Sequence, residues 1–221
     1  MLIMFLGDSI TDWFRDHSDH ESLGKGYVKY AAEILKGKYP FLEFRNLGVN
    51  GYSTEKVAEV LNNFDEEIKP DIVSVLVGVN DFCDIDKPKD WKPDLEATGR
   101  NYKTIFKEIK EKFGSEILVL QPYLAGEHHP YFDRANLETV HKKLETEMKK
   151  AELKNFVPLD KLINEHFPGE KASVYSKDGV HPQPAGAEYV GGVVAEYMEP
   201  IIEKLISKAA ELFKAAENLE P

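Results

Sequence analysis

A single cysteine, Cys83, in a chain of 221 residues rules out any disulfide within it and fits a reducing compartment. Long apolar runs are also missing, and none approaches the roughly 18 to 20 residues that a membrane-spanning helix requires. Positive charge is in deficit: 28 Lys and Arg face 39 Asp and Glu, a formal charge of −11. That balance opposes extended contact with a phosphate backbone, so nucleic acid is not an expected partner. Neither a His-Glu-x-x-His pattern nor a Cys/His cluster is present, so no metal and no organic cofactor are expected, the pair His128-His129 notwithstanding. The Lys residues alternate with Glu along 103–112 and 142–154, the pattern of solvated helix faces.

The first apolar run, Leu2-Ile3-Met4-Phe5-Leu6, has no basic segment before it and passes directly into Gly7-Asp8-Ser9. It reads as a strand and not as an export signal, and a cytoplasmic location is the expectation. Further strand-length runs occur at 41–47, 72–77, 117–120 and 156–159. Segments with apolar residues at three and four spacing separate them, at about 26–36, 54–68, 97–113, 134–152 and 185–198. This alternation predicts an α/β domain, a parallel five-stranded sheet with helices on both faces in a three-layer α/β/α sandwich. Residues 1–200 form the domain. Beyond Pro200, residues 201–221 carry an additional amphipathic helix, packed on the domain or on a neighbouring subunit, which leaves a homo-oligomer open. No repeat or low-complexity tract is present.

Ligands of such sheets bind at the carboxyl ends of the strands. Ser9 follows the first run, Gly48 the second and Asn80 the third, which brings all three to one rim. A serine hydroxyl needs a base to take its proton and a third group to orient that base. His181 and Asp178, three apart in a Gly- and Pro-containing loop, fit those roles. Donors for the oxygen of a tetrahedral intermediate are available in the Ser9 N–H, the Gly48 N–H and the Asn80 side chain. Singly, each has a plainer reading: Ser9 as a helix N-cap, Gly48 as a turn residue, Asn80 as a cap, Asp178 as an Asx turn and His181 as a surface histidine.

Taken in order, Gly7-Asp8-Ser9-Ile10, the Asn46-to-Gly51 block with Gly48, Gly78-Val79-Asn80-Asp81 and Asp178-Gly179-Val180-His181 resemble the four blocks of the SGNH hydrolases, the GDSL esterase and lipase family. The likeness spans the chain to about residue 198 and departs in the first block only at Ile10, where Leu is usual. It implies the flavodoxin-like fold of that family, Ser9 as nucleophile, Gly48 and Asn80 in the oxyanion hole, and Asp178 and His181 as orienter and base. Leu23-Gly24-Lys25-Gly26-Tyr27-Val28, Pro70-Asp71-Ile72-Val73-Ser74 and Gln121-Pro122-Tyr123 look like the bacterial branch that includes acetylxylan esterases. Phe82-Cys83 and the C-terminal helix depart from that branch.

The expected activity is therefore hydrolysis of short acyl esters, acetyl first, of sugars or small alcohols, so that the partner is a small-molecule or oligosaccharide ester. Lysophospholipase or thioesterase activity is the alternative among hydrolases, and a non-catalytic carbohydrate-binding protein the alternative outside them. Asp8, Asp81 and Tyr123, which adjoin the motifs, are the expected substrate contacts. Segments 81–95 and 122–133 are the expected cleft walls. Trp13 and Trp91 read either as a sugar-stacking surface or as core or interface residues.

Overall fold

A computed structural model of the chain describes residues 1–64, 68–127 and 129–217. Five strands, β1 (Leu2–Gly7), β2 (Glu43–Gly48), β3 (Ile72–Leu76), β4 (Glu116–Leu120) and β5 (Phe156–Val157), form one parallel sheet in the order β2-β1-β3-β4-β5. A parallel sheet is covered on both faces, so its central strands read as continuous apolar runs. Ile3 to Leu6 in β1 and every residue of β3 are buried accordingly. The edge strand β2 alternates instead, with Phe44, Asn46 and Gly48 inward. Chain order reverses at β1, whose two neighbours are β2 and β3, and that reversal opens a crevice above its carboxyl end.

Helices α2 (Tyr27–Lys38), α3 (Thr54–Asn62), α4 (Leu95–Glu108) and α5 (Arg134–Lys150) join successive strands and, with α8 (Pro184–Glu217) after the last strand, fall on the segments of three and four spacing, whereas α6 (Leu159–His166), also after β5, was not among the expected helices. Two single-turn helices, α1 (Ser9–Asp12) and α7 (Ala172–Tyr175), lie at the rim. In α2 the buried face is Tyr27, Val28, Ala31, Ala32 and Leu35, and each such side chain taken from water contributes roughly 1.5–3 kcal/mol for the larger ones. Ile34, apolar and at three spacing from Ala31, is nevertheless exposed. Helix α3 ends at Asn62, short of the expected 68, and residues 65–67 of that expectation lie outside the described ones. Residues Ile109–Phe113 extend α4 by a wider π-helical turn before Gly114.

The break expected at Pro200 is absent, because α8 runs 34 residues through it. Pro200 cannot donate to the Glu196 carbonyl, but both residues lie on the solvent face, where water can take the freed acceptor. The first half of α8 packs on α2, with Val190, Val194, Met198 and Ile202 buried. From Glu203 to Ala216 the helix is exposed apart from the half-buried Leu205, so this end leaves the domain surface. Among the described residues no helix is long and apolar enough to cross a membrane.

Candidate active site

The first turn after β1 is built from three consecutive residues with separate tasks. A Cβ at Gly7 would collide with the Leu76 carbonyl and the Thr11 hydroxyl, so only glycine allows the chain to turn there. Asp8 is the N-cap of α1, its Oδ1 accepting the Ile10 N–H at 3.0 Å. Ser9 is therefore not the cap but the first residue inside the helix, and its own N–H has no intrahelical acceptor.

Ser9 Oγ lies 2.8 Å from His181 Nε2, and His181 Nδ1 lies 2.6 Å from Asp178 Oδ2. Ionised Asp178 can only accept, which places the ring proton on Nδ1 and leaves Nε2 free to accept from the serine hydroxyl. The other carboxylate oxygen, Oδ1, accepts from Ser176 Oγ at 2.9 Å, Val180 N–H at 2.9 Å and His181 N–H at 2.8 Å. Gly179, at φ +82°, supplies the left-handed turn that lets the carboxylate fold back on the histidine three residues later. Ala125 N–H to the Gly179 carbonyl, at 2.7 Å, and Tyr123 Oη–H to the Val180 carbonyl, at 3.1 Å, tie this loop to the body.

Electrostatics follow from the same contacts. Burial alone would raise the Asp178 carboxyl, but the hydrogen bonds from the His181 ring and from the His181 and Val180 N–H groups outweigh it and hold the acid well below its usual range. The Asp178 hydrogen bond raises His181 above its ordinary value, against a smaller lowering by burial and with further support from the charges of Asp178 and Asp8. Asp8 itself is pushed up to about 7 by burial, which the Ile10 N–H only partly offsets.

Beside Ser9 and His181 opens a cleft of about 560 Å³, lined also by Asp12, Trp13, Phe14, Asn50, Lys177 and Gln183. Its walls are therefore the turn after α1 and the 177–183 loop, not segments 81–95 and 122–133. Those two segments bond to each other instead, Asp84 N–H to the Tyr131 carbonyl at 3.2 Å. Asp12 anchors the near wall, its Oδ2 accepting the Asn50 N–H at 3.0 Å and meeting His17 Nε2 at 3.0 Å.

Five other expected site residues have surroundings of their own. The Gly48 N–H donates to Asn46 Oδ1 at 2.9 Å, and a Cβ at Gly48 would collide with the backbone of Thr11 and Asp12. Gly48 is thus a packing glycine whose donor is occupied, and the Gly48 carbonyl is held by Arg15 Nη2 at 3.0 Å. Asp8 is 1% exposed, beneath the cleft and out of reach of a ligand in it. Asp81 accepts from Thr54 N–H at 2.9 Å and from the hydroxyls of Thr54 and Thr98, which staples α3 to α4. Tyr123 is fully buried and supports Val180 from below. Asn80, in the turn after β3, donates one amide hydrogen to the Tyr52 carbonyl at 3.0 Å and has a second available.

Two residues that the motifs did not single out belong to this picture. Gly51, at φ +77°, is exposed in the turn that carries Asn50, and its N–H has no acceptor among the described residues. Trp13 stacks on the His181 ring, with centroids 5.4 Å apart and planes 18° from parallel. Asn-x-Gly spacing at Asn46–Gly48 was the available signal that the first glycine is taken by an Asx-type bond. Among the described residues no three His, Cys, Asp or Glu side chains converge as metal ligands do. His129 bonds the Gly126 carbonyl at 2.9 Å, and His128 lies outside the described residues.

The model of the GDSL-like lipase/acylhydrolase family matches residues 5–189. An acetylxylan esterase from Geobacillus stearothermophilus is 28% identical over 198 residues, which cover 83% of this chain and 87% of that protein. A protein from Parabacteroides merdae described as a GDSL-like lipase superposes with a TM-score of 0.77 at 25% identity, covering 90% of this chain and 94% of its own. The crystal structure of an acetylxylan esterase from Geobacillus stearothermophilus gives a TM-score of 0.75 at 23% identity over 89% of this chain and 91% of its own, a likeness of fold. With the sheet order, the Ser9 turn and a family match over most of its length, the chain belongs to the GDSL-like lipase/acylhydrolase family and is a carboxylic ester hydrolase.

Proposed function

We propose that this hydrolase is a serine esterase that removes short acyl groups, acetyl first, from sugars or small hydroxylated alcohols. The observation that carries the reading is the unbroken run of contacts from Ser9 Oγ through His181 to Asp178, at 2.8 and 2.6 Å, beside a cleft at the sheet's reversal point. Ser9 Oγ attacks the ester carbonyl as His181 Nε2 takes its proton. Asp178 steadies the imidazolium, which then protonates the leaving alcohol. Water repeats the cycle on the acyl-enzyme. The oxyanion is received by the Ser9 N–H, the Gly51 N–H and the free amide hydrogen of Asn80, with Gly51 taking the place first given to Gly48.

Support for a sugar or small polyol as the alcohol comes from the cleft, whose lining combines the polar residues Asn50, Lys177 and Gln183 with the aromatic pair Trp13 and Phe14. The relative described as an acetylxylan esterase supports acetyl as the acyl group. Hydrolysis of p-nitrophenyl acetate by wild type and Ser9→Ala, both shown folded by circular dichroism, tests the mechanism. Activity is expected in the wild type alone, and equal rates would remove Ser9 as nucleophile. A series from acetate to decanoate tests the acyl group. A rate maximum at the longest chains would favour a lysophospholipase or thioesterase instead.

A further inference from the structure

The indole of Trp13 is carried on an unusual stretch of backbone. Its residue sits at φ 26° and is followed by Phe14 at φ 60°, two successive non-glycine residues with positive φ. Such backbone persists only where the surroundings impose it. Here the Trp13 carbonyl accepts the Lys25 N–H at 2.8 Å, and Gly26 lies so close that a Cβ there would come within 2.7 Å of Trp13 Cβ. Phe14 meets the indole edge-on at 5.3 Å. The ring is thereby fixed with its face against the His181 imidazole, nearly parallel to it.

We infer that Trp13 is a positioning residue of the reaction, which holds the His181 ring in the line between Ser9 and Asp178 and stabilises its protonated form through the indole face. An aromatic face attracts a cation, and the imidazolium exists only while the proton is in transit. The interaction is therefore stronger in the charged intermediate than in the resting enzyme, which is the condition for it to accelerate the reaction. Hydrogen bonds hold the ring at its two nitrogens, and a flat neighbour against its face limits tilting out of that plane. The proposal rests on His181 acting as the base.

A bulky apolar neighbour also excludes water, and that effect has the opposite sign. Taking water from a histidine disfavours its charged form, so if Trp13 were only a cover, its removal would raise the His181 pKa. If the indole face stabilises the cation, its removal lowers it. The other charges that face His181 are Asp178 in its own loop and Asp8 at the start of α1, with Asp12 and Lys177 further along the cleft. None of the four is altered by a substitution at Trp13.

The test is the pH dependence of kcat/KM for p-nitrophenyl acetate in wild type, Trp13→Phe and Trp13→Leu, together with NMR titration of the His181 ring in each. The expected result for Trp13→Leu is a downward shift of the acid limb and of the ring titration by roughly half a pH unit, with kcat reduced about three- to tenfold and KM little changed. Trp13→Phe, which keeps an aromatic face, is expected to lie between. An unchanged or raised His181 titration in folded Trp13→Leu would overturn the proposal. If Trp13→Leu fails to fold, Trp13→Phe and Trp13→Tyr carry the test, because both keep a ring of lower π density and an unchanged titration in both would also overturn it. Failure of the triad reading is separable, since it would show as retained activity in Ser9→Ala or in His181→Ala.

Discussion

Asp178 binds His181 twice, once at the ring through Oδ2 and once at the backbone N–H through Oδ1. The carboxylate orients the imidazole and at the same time shapes the loop that carries it. Loss of the charge therefore has two consequences, one for the reaction and one for the local fold.

The acid limb of kcat/KM is expected above the ordinary histidine value of 6.5, because the proposed mechanism requires a neutral His181 to accept the serine proton and Asp178 raises its pKa. Asp178→Asn moves that limb down and reduces kcat/KM on the order of 10² or more. A pH–rate profile of the two proteins checks both statements. Since the folded Asp178 titrates below its unfolded value of 3.8, the stability it lends is present at neutral pH and is lost as pH falls through the acid range.

Asp8 behaves in the opposite way. Its folded pKa of about 7 lies above the unfolded 3.8, so its burial costs stability that is fully lost above the higher value and absent below the lower one. Asp8→Asn is expected to raise unfolding free energy by a few kcal/mol at about pH 8 and by little at about pH 4. Denaturant unfolding at the two pH values measures the difference, and an equal effect at both would contradict a buried titrating acid.

The two glycines of the 46–51 block should respond differently to a methyl group. Gly48→Ala collides with the α1 backbone and is expected to lower the yield of folded protein sharply. Gly51 has open space around it, so Gly51→Ala meets only the cost of its positive φ, about 1–2 kcal/mol, and folds. Circular dichroism of both proteins distinguishes the packing glycine from the exposed one.

Asn80→Ala removes a proposed oxyanion donor and is expected to lower kcat on the order of 10² to 10³ with the melting temperature near that of wild type. Steady-state kinetics beside a thermal melt provides the check. Turnover close to wild type would leave Asn80 as no more than a brace for Tyr52.

Removal of everything after Leu205 takes away residues that are exposed in α8. The shortened protein is expected to melt within about 2 °C of the full chain and to keep its rate, since exposed positions contribute little to stability. A drop several times larger in calorimetry would mean that the protruding end is covered in solution.

Strands and crossover helices were legible because a parallel sheet buries both faces and writes continuous apolar runs into the sequence, as in Ile3 to Leu6. The place of Ser9 at a strand end and the Asp178–His181 contact were legible because strand ends and short-range turns are local features. What escaped was set by side chains meeting across the fold. The motif cannot show that Asn46 occupies the Gly48 N–H, that Asp81 is saturated by Thr54 and Thr98, or that Tyr123 lies beneath Val180. Nearness in sequence to a catalytic motif says nothing about which side of the sheet rim a residue faces. Pro200 misled for a related reason: its missing donor matters only where water cannot replace it, and solvent exposure is a tertiary property.

The proposed nucleophile and the proposed base are carried by different kinds of structure. Ser9 is set at the end of a central strand, whereas His181 and Asp178 share one short loop pinned by the Ala125 and Tyr123 bonds and by the Ser176–Pro182 bridge. Because the proposed orienter and base ride on the same cartridge, a small displacement of that loop would remove both from the serine in a single event while the sheet stays whole. On heating, catalysis would then cease at a temperature below the cooperative melt, through the parting of two modules and not through their collapse.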